Sequence, residues 1–357
     1  MYSDEVQSNP ILVEVYRGGI LESFHRGVVC VVNELGDIVF SLGDPMQLCY
    51  PRSAMKFVQA LPLIELGGIQ KFGFTLEEIA VMCGSHNGEA EHLRVVRSIL
   101  QKIDMEEEAL GCGAQYPTHK KDADALIMHQ TKPTAIHNNC SGKHAGMLAL
   151  CKLLDFNTQD YLNPSHSVQQ LILDYVAAFY EYPKEKMVCA LDGCTAPIYS
   201  IPAYHQAICF RNLVEPSQFE KVRQEACKTL VEAISQYPFM VAGTKRYCTD
   251  MMQICAPEII GKTGAEGVFC MAFTKQKLGV CIKIDDGKML PQYNVAQLMI
   301  ALSNLFAQEK LQPLEKYAQH ELKNFNQLVT GEMRVNTEIF RHWIALWDEL
   351  NSPINEA

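Results

Sequence analysis

The sequence predicts an α+β fold, an α/β sandwich-like arrangement in which one antiparallel sheet is built from both ends of the chain. A helical region is inserted between those ends. Three observations lead there. Short β-type runs separated by Gly-Gly and Leu-Gly-Asp turns fill residues 11–43. Helical spacing dominates from about residue 75 to 240. The β pattern then returns in the runs 267–273 and 278–284.

The first runs are Leu12–Tyr16, Leu21–Phe24, Gly27–Val32 and Ile38–Phe40, and they read as a meander that ends at Asp44-Pro45. A first helix is expected from Ser53. Thr75 and Glu78 have capping-box spacing ahead of Ile79–Met82. Glu89–Lys102, Lys143–Leu154, Ser167–Tyr180 and Pro216–Gln236 read as further helices, the last with a solvated, alternately charged face. The runs 267–273 and 278–284 make a hairpin closed by Asp285–Lys288, and an apolar helix follows over 294–309. The tail beyond is polar, with Trp343 and Trp347 in a last short helix that is expected to cover a subunit interface. No repeat or low-complexity linker interrupts this order. The chain therefore reads as a single domain over 1–357. Its sheet part is about 1–50 and 255–310, its helical part about 51–254, and its C-terminal extension about 311–357.

Composition narrows the function. The chain has 357 residues, 48% of them hydrophobic, which is enough for a sizeable core. Its formal charge is -10 and no basic cluster stands out, which argues against a nucleic-acid or anionic-membrane partner. A small anionic substrate stays possible, because one local arginine suffices. The Met1-Tyr2-Ser3-Asp4-Glu5 start has no basic and apolar leader pattern. No apolar run reaches the roughly 18 residues that a membrane span needs. A soluble, cytoplasmic protein is expected. Its 14 cysteines should then be buried thiols, metal ligands or catalytic groups rather than bridges. They show no C-x-x-C pair, which argues against a zinc ribbon or finger.

Six stretches carry chemistry. Pro51–Lys56 contains Ser-x-x-Lys, which would place Lys56 one turn from the Ser53 hydroxyl. A serine attacks only when a base takes its proton, and a buried lysine can be that base. Cys83–Glu89 is a small polar turn running into a helix, where Ser85 is either a helix cap or a second active-site serine. Lys262-Thr263-Gly264 is a second motif of penicillin-recognising enzymes, expected in a turn before a strand. With Ser53/Lys56 it would give two Ser/Lys pairs in one cleft, and Lys245 competes for the second lysine. In Asn138–Gly146, Cys140, Lys143 and His144 share a helical face. Together with Cys194, exposed by the Asp192-Gly193 turn, Cys140 and either Lys143 or His144 could hold zinc. Val241–Asp250 reads as a lid or active-site loop.

These stretches together resemble the Rhizobium etli type of L-asparaginase II, the class 3, thermolabile, zinc-containing family. The resemblance rests on Pro51–Lys56, Cys83–His86, Cys140–Gly146, Leu191–Pro197, Ala242-Gly243 and Gly264–Gly267, in that order along the chain. It implies a serine β-lactamase-like fold and an amidohydrolase that converts L-asparagine to L-aspartate and ammonia. It implies Ser53 with Lys56 and Ser85 with Lys262 as catalytic pairs. It implies Cys140, Lys143 and Cys194 as ligands of Zn2+, with water as the fourth. Arg52, His144 and Asp192 match substrate-holding positions, Cys248 matches a thiol near the site, and a homodimer is implied. Two rival readings are a β-lactamase or penicillin-binding-like serine hydrolase and a non-catalytic amino-acid sensor on the same scaffold.

Overall fold

The computed structural model describes residues 8–351, so the Met1–Glu5 start lies outside the described residues. The chain forms two compact units. The first comprises the described residues up to Cys49, Pro202–Arg211 and those from Gly261 onward. The second comprises Tyr50–Ile201 and Asn212–Ile260.

The first unit is organised on the long strand Ile20–Val32. Its first half pairs antiparallel with Ile11–Arg17, and its second half pairs with Ile38–Leu42 and Leu278–Ile284. Burial changes along it. Ile20–Phe24 is exposed, whereas Val28–Val32 is fully buried and loses the period-2 alternation, as a strand does when both faces are covered. Val268–Phe273 pairs with Leu278–Ile284, and Ile259–Gly264 lies beyond it. On the other side Val329–Val335 pairs with Ile11–Arg17, and His320–Lys323 forms the edge. A helix beginning at Ala203 comes down on the sheet at Gly279, where a Cβ would sit 2.0 Å from the Ala207 carbonyl oxygen. That approach requires a residue with no side chain.

Several expectations change here. Lys262-Thr263-Gly264 lies within the buried strand Ile259–Gly264 and not in a turn before one. The helix expected over 294–309 is Met289–Leu302, with Pro291 in the first turn where its missing N–H costs nothing. The C-terminal residues do not stand apart as an extension: they add two strands to the sheet and a helix, Arg341–Asn351. Trp343 and Trp347 are fully buried in the first unit against Phe273, so they do not face a subunit interface.

The second unit surrounds the helix Lys56–Glu65. Every residue of it except Glu65 is buried, because Ser141–Leu153, Ser167–Tyr180 and Lys221–Gln236 all pack on it. Its sequence is correspondingly apolar on every side. Leu76–Met82 starts with the expected box: Glu78 N–H donates to Thr75 Oγ1, and Thr75 N–H donates to Glu78 Oε2 at 2.7 Å. The helix expected from Pro216 begins at Lys221, since Phe219 N–H closes a turn onto the Pro216 carbonyl. The fourteen cysteines are free thiols, and all but Cys189 are buried. Among the described residues no helix is long and apolar enough to cross a membrane.

Candidate functional site

A short 3-10 turn, Arg52–Met55, leads into Lys56–Glu65 and carries Ser53. Arg52 sits at φ +52, a left-handed conformation that costs a non-glycine residue about 1–2 kcal/mol. Lys56 is 1% exposed, and its Nζ donates to Gly84 O at 2.6 Å, Ser85 Oγ at 2.9 Å and Cys140 Sγ at 3.2 Å. Among the described residues no hydrogen bond joins Lys56 to Ser53. The lysine expected to serve Ser53 is bonded to Ser85 instead. The physical reason is satisfaction: a buried amine must place all of its N–H groups, and one serine hydroxyl takes only one. Ser85 does not cap the next helix, which starts at Ala90 behind Glu89. The Ser85 N–H is tied to the Val241 carbonyl at 2.9 Å.

The helix Ser141–Leu153 supplies the thiol side of the site. It approaches the end of Leu76–Met82 at Gly142, where a Cβ would lie 2.3 Å from the Val81 carbonyl oxygen. Cys140 stands at its N-terminus, and one turn later Lys143 Nζ lies 2.9 Å from Cys194 Sγ. Cys194 belongs to a tight turn closed by Thr195 N–H on the Asp192 carbonyl. The turn buries Cys194 rather than exposing it. The hydrogen bond from Cys194 holds the Cys140 thiol well below the ordinary thiol range, and Lys56 and Lys143 reinforce this against the cost of burial. The same bond and burial push Cys194 up. For Lys143, burial favours the neutral amine, but Cys140 and Cys194 outweigh it and raise the group. Ligand atoms of Cys140, Asp192 and Cys194 lie within 4.8 Å of one another, with the Lys143 amine beside them. Two sulfurs, a nitrogen and a carboxylate oxygen, in a buried cluster, are a donor set that fits zinc. Of the two nitrogen donors left open by spacing, the structure turns Lys143 toward Cys194 and His144 away.

Arg52 and Asp192 pair with each other, Nε to Oδ1 at 2.7 Å. Burial works against ionisation of Asp192, but Lys143 and Arg52 together hold its carboxyl below the usual carboxylate range. His144 is fully buried, and its Nδ1 lies 2.7 Å from Tyr161 Oη. That hydroxyl accepts the Gly111 N–H, so its own hydrogen goes to Nδ1, and the Nε2–H of His144 remains a buried donor with no partner. Burial keeps the ring neutral, and Lys143 and Lys56 add to the effect. A cavity of about 750 Å³ opens against Tyr161, Leu191 and Thr195, on the flanks of the Asp192–Cys194 turn.

The expected lid is a fastened loop. Asn87 Nδ2 donates to the Thr244 carbonyl, and Glu89 accepts from Thr244 N–H and Oγ1. Cys248 is buried in the first turn of the helix Tyr247–Cys255 that follows. Lys245 is exposed on the loop. Lys262 is 1% exposed in the first unit, its Nζ on the Thr263 carbonyl at 2.9 Å. Thus hydrogen bonds link Ser85, Lys56, Cys140, Lys143, Cys194, Asp192 and Arg52 within the second unit. Sequence reasoning missed Tyr161, which is an isolated residue in a loop and gives no motif. It also missed the clamp of Asn87 and Glu89, although both lie inside the Cys83–Glu89 stretch.

The L-asparaginase II family model matches residues 13–335. No curated protein sequence matches the chain. Among solved structures it is similar to a Bacteroides dorei protein assigned as a β-lactamase, with 11% identity and a TM-score of 0.42 over 72% of this chain and 84% of that one. It is also similar to a β-lactamase from Mycobacterium bovis, with 12% identity and a TM-score of 0.37 over 82% and 95% of the two chains.

Proposed function

The chain belongs to the L-asparaginase II family, and from that premise we propose that it hydrolyses L-asparagine to L-aspartate and ammonia, as the Rhizobium etli type does. The observation that carries this reading is the buried Lys56 amine. It is shared between Ser85 and Cys140, three residues after Ser53, and linked through Cys140, Cys194 and Asp192 to Arg52.

The substrate is a zwitterion, and the Arg52–Asp192 pair offers the complementary charges. Arg52 takes the α-carboxylate and Asp192 the α-ammonium, each exchanging part of its present partner for the substrate. The unpartnered Nε2–H of His144 supplies a further donor to the bound amino acid. With that end fixed, the side-chain amide is held for attack, and orientation removes much of the barrier.

Ser53 is the nucleophile in this reading. It is half-buried, and no hydrogen bond commits its hydroxyl among the described residues. Its Oγ attacks the amide carbon while its proton passes by way of Ser85 to Lys56, which enters this step as the neutral amine, with one of its three present donor bonds given up so that its lone pair faces Ser85. The tetrahedral centre collapses, ammonia leaves with a proton, and an aspartyl ester on Ser53 remains. Water then attacks the ester, gives up a proton to the same base and releases L-aspartate. Lys262 remains the candidate second lysine, since its buried position suits a base better than the exposed Lys245 does. Cys140, Lys143 and Cys194 would hold zinc, which would keep both thiols as thiolates and Lys143 as a neutral amine.

The test is ammonia release from L-asparagine by the purified, zinc-supplied protein. Ser53→Ala and Lys56→Met should each lower turnover by about 10²–10⁴-fold or more, the usual worth of a nucleophile or its base. Full turnover by Ser53→Ala removes Ser53 from its role. Binding of L-asparagine without ammonia would make the protein a sensor rather than an enzyme.

A further inference from the structure

A second cavity in the helical unit is lined by none of Arg52, Ser53, Lys56, Ser85, Cys140, Lys143, Asp192 or Cys194. It is an open recess with a volume of about 1010 Å³, bordered by the helix Lys120–Met128, with the residues just before it, and the loop 244–246. We propose that it binds a small organic anion carrying at least two negative charges. The proposal does not rest on the asparaginase reading.

The first ground is charge. Two dibasic steps, Lys120-Lys121 and Lys245-Arg246, are distant in sequence and meet around this one concavity. Its only acidic lining residue, Asp124, is spent on Lys120. Arg246 donates to the neutral Asn87 side chain at 3.0 Å and makes no ion pair with a carboxylate among the described residues. Lys121 and Lys245 have no carboxylate partner among the described residues. Four cations, Lys120, Lys121, Lys245 and Arg246, thus face one recess against three carboxylates, Asp124 on its wall and Glu89 and Asp122 beside His119, in a chain whose formal charge is -10. Concave low-dielectric walls focus such a field on an anion.

The second ground is shape and surface. The volume is that of a small-molecule site rather than of a single bound ion. Ala125 and Met128, the latter 80% exposed, supply an apolar wall beside the cations, so an organic anion fits better than a bare one.

The third ground is preorganisation. Lys245 is held at φ +58 by a loop that Glu89 and Asn87 fasten on either side of it. The backbone that carries Lys245 and Arg246 is therefore in place before any ligand arrives, which reduces the cost of binding. A cation is the wrong occupant. His119, Glu89 and Asp122 could gather around one. However, His119 Nδ1 already bonds Asp122 at 2.6 Å, Glu89 already holds Thr244 and Asn87, and the surrounding lysines and arginine repel positive charge.

Calorimetric titration at constant ionic strength tests this, with succinate, inorganic phosphate and adenosine monophosphate as separate probes. The expected result is saturable binding of at least one probe, with a Kd of about 1 mM or tighter. Which probe binds best distinguishes a dicarboxylate, a phosphate and a nucleoside phosphate. The doubly reversed variant Lys121→Glu/Lys245→Glu should bind about tenfold or more weakly, whereas Lys310→Glu in the other unit should bind normally. Both cavity lysines are exposed, so a melting curve without ligand should show the double variant folded. No saturation with any probe overturns the proposal. So does binding that survives the double reversal, because the anion would then be held elsewhere.

Discussion

His86 and His92 stack in the second unit with ring centroids 4.9 Å apart, and both are fully buried. Their hydrogen bonds specify neutral rings. Each Nδ1 accepts a backbone N–H, from Gly88 for His86 and from Glu89 for His92. Each Nε2 then donates, to Ser141 Oγ and to the Phe239 carbonyl respectively. Protonating either Nδ1 would lose its bond and bury a positive ring, and protonating both would place two positive rings face to face. Burial accordingly moves both groups below the ordinary histidine value, and for His86 the neighbouring His92 and Lys56 add to the effect. The sign follows. The folded values lie below the unfolded ones, so the unfolded chain binds more protons, and stability falls as pH drops below about 6.5. Each ring contributes up to about 1.4 kcal/mol per pH unit until its own folded value is reached. His92→Gln should flatten the dependence of unfolding free energy on pH between 6.5 and 5, by at most about one proton. An unchanged slope would mean that His92 titrates normally in the fold. The consequence reaches the site, because the His86–Ser141 bond ties the residue after Ser85 to the helix that carries Lys143.

Ser141–Leu153 is the element on which the thiol and lysine groups converge, and it can approach Leu76–Met82 only because residue 142 is glycine. A methyl group there would meet Val81 backbone atoms at 2.3 and 2.8 Å, and backbone cannot rotate away. Gly142→Ala should cost about 1–3 kcal/mol of stability, the usual price of overpacking. It should also shift Cys140 and Lys143, and so weaken zinc binding at the site proposed for it. Gly193→Ala is the control: nothing lies within 4 Å of its Cβ, so its effect should stay within about 0.5 kcal/mol. Equal melting temperatures for the two variants would refute the argument. The same elements explain what could be read without coordinates. Ser167–Tyr180 and the hairpin of Val268–Phe273 with Leu278–Ile284 carry strong, uninterrupted patterns and were readable in full. Ile259–Gly264 was not, since it is buried along its whole length and its Gly261 and Gly264 imitate a turn. His320–Lys323 and Val329–Val335 were hidden because polar, half-covered edge strands show no core face. At the site, the residue types announced themselves as dense polar motifs. The bond of Lys56 to Ser85 did not, because the reach of a side chain between elements is not encoded in spacing along one element.

For the molecule as a whole, the C-terminal segment decides how the sheet unit closes. Phe40, Phe273, Phe340, Trp343 and Trp347 form one aromatic cluster drawn from both ends of the chain. Trp343 stands within 5.8 Å of both Phe40 and Phe273 between ring centroids, and its indole N–H donates to the Met299 carbonyl at 3.0 Å. The Val329–Val335 strand leads into this cluster from the sheet, with Val13 paired to Val335. Such a cluster covers the sheet of its own chain and has no surface left for a second copy. Trp343→Ala therefore should lose about 3–5 kcal/mol, through lost burial and the cavity left behind. The molecular mass in solution should stay unchanged for the variant that remains folded. Urea unfolding and light scattering, run on the same samples, separate the alternatives. A lower unfolding midpoint at constant mass places the tryptophans in the core that completes this unit. A halved mass with an unaltered midpoint would return them to a subunit interface, and the tail would then serve assembly rather than the fold.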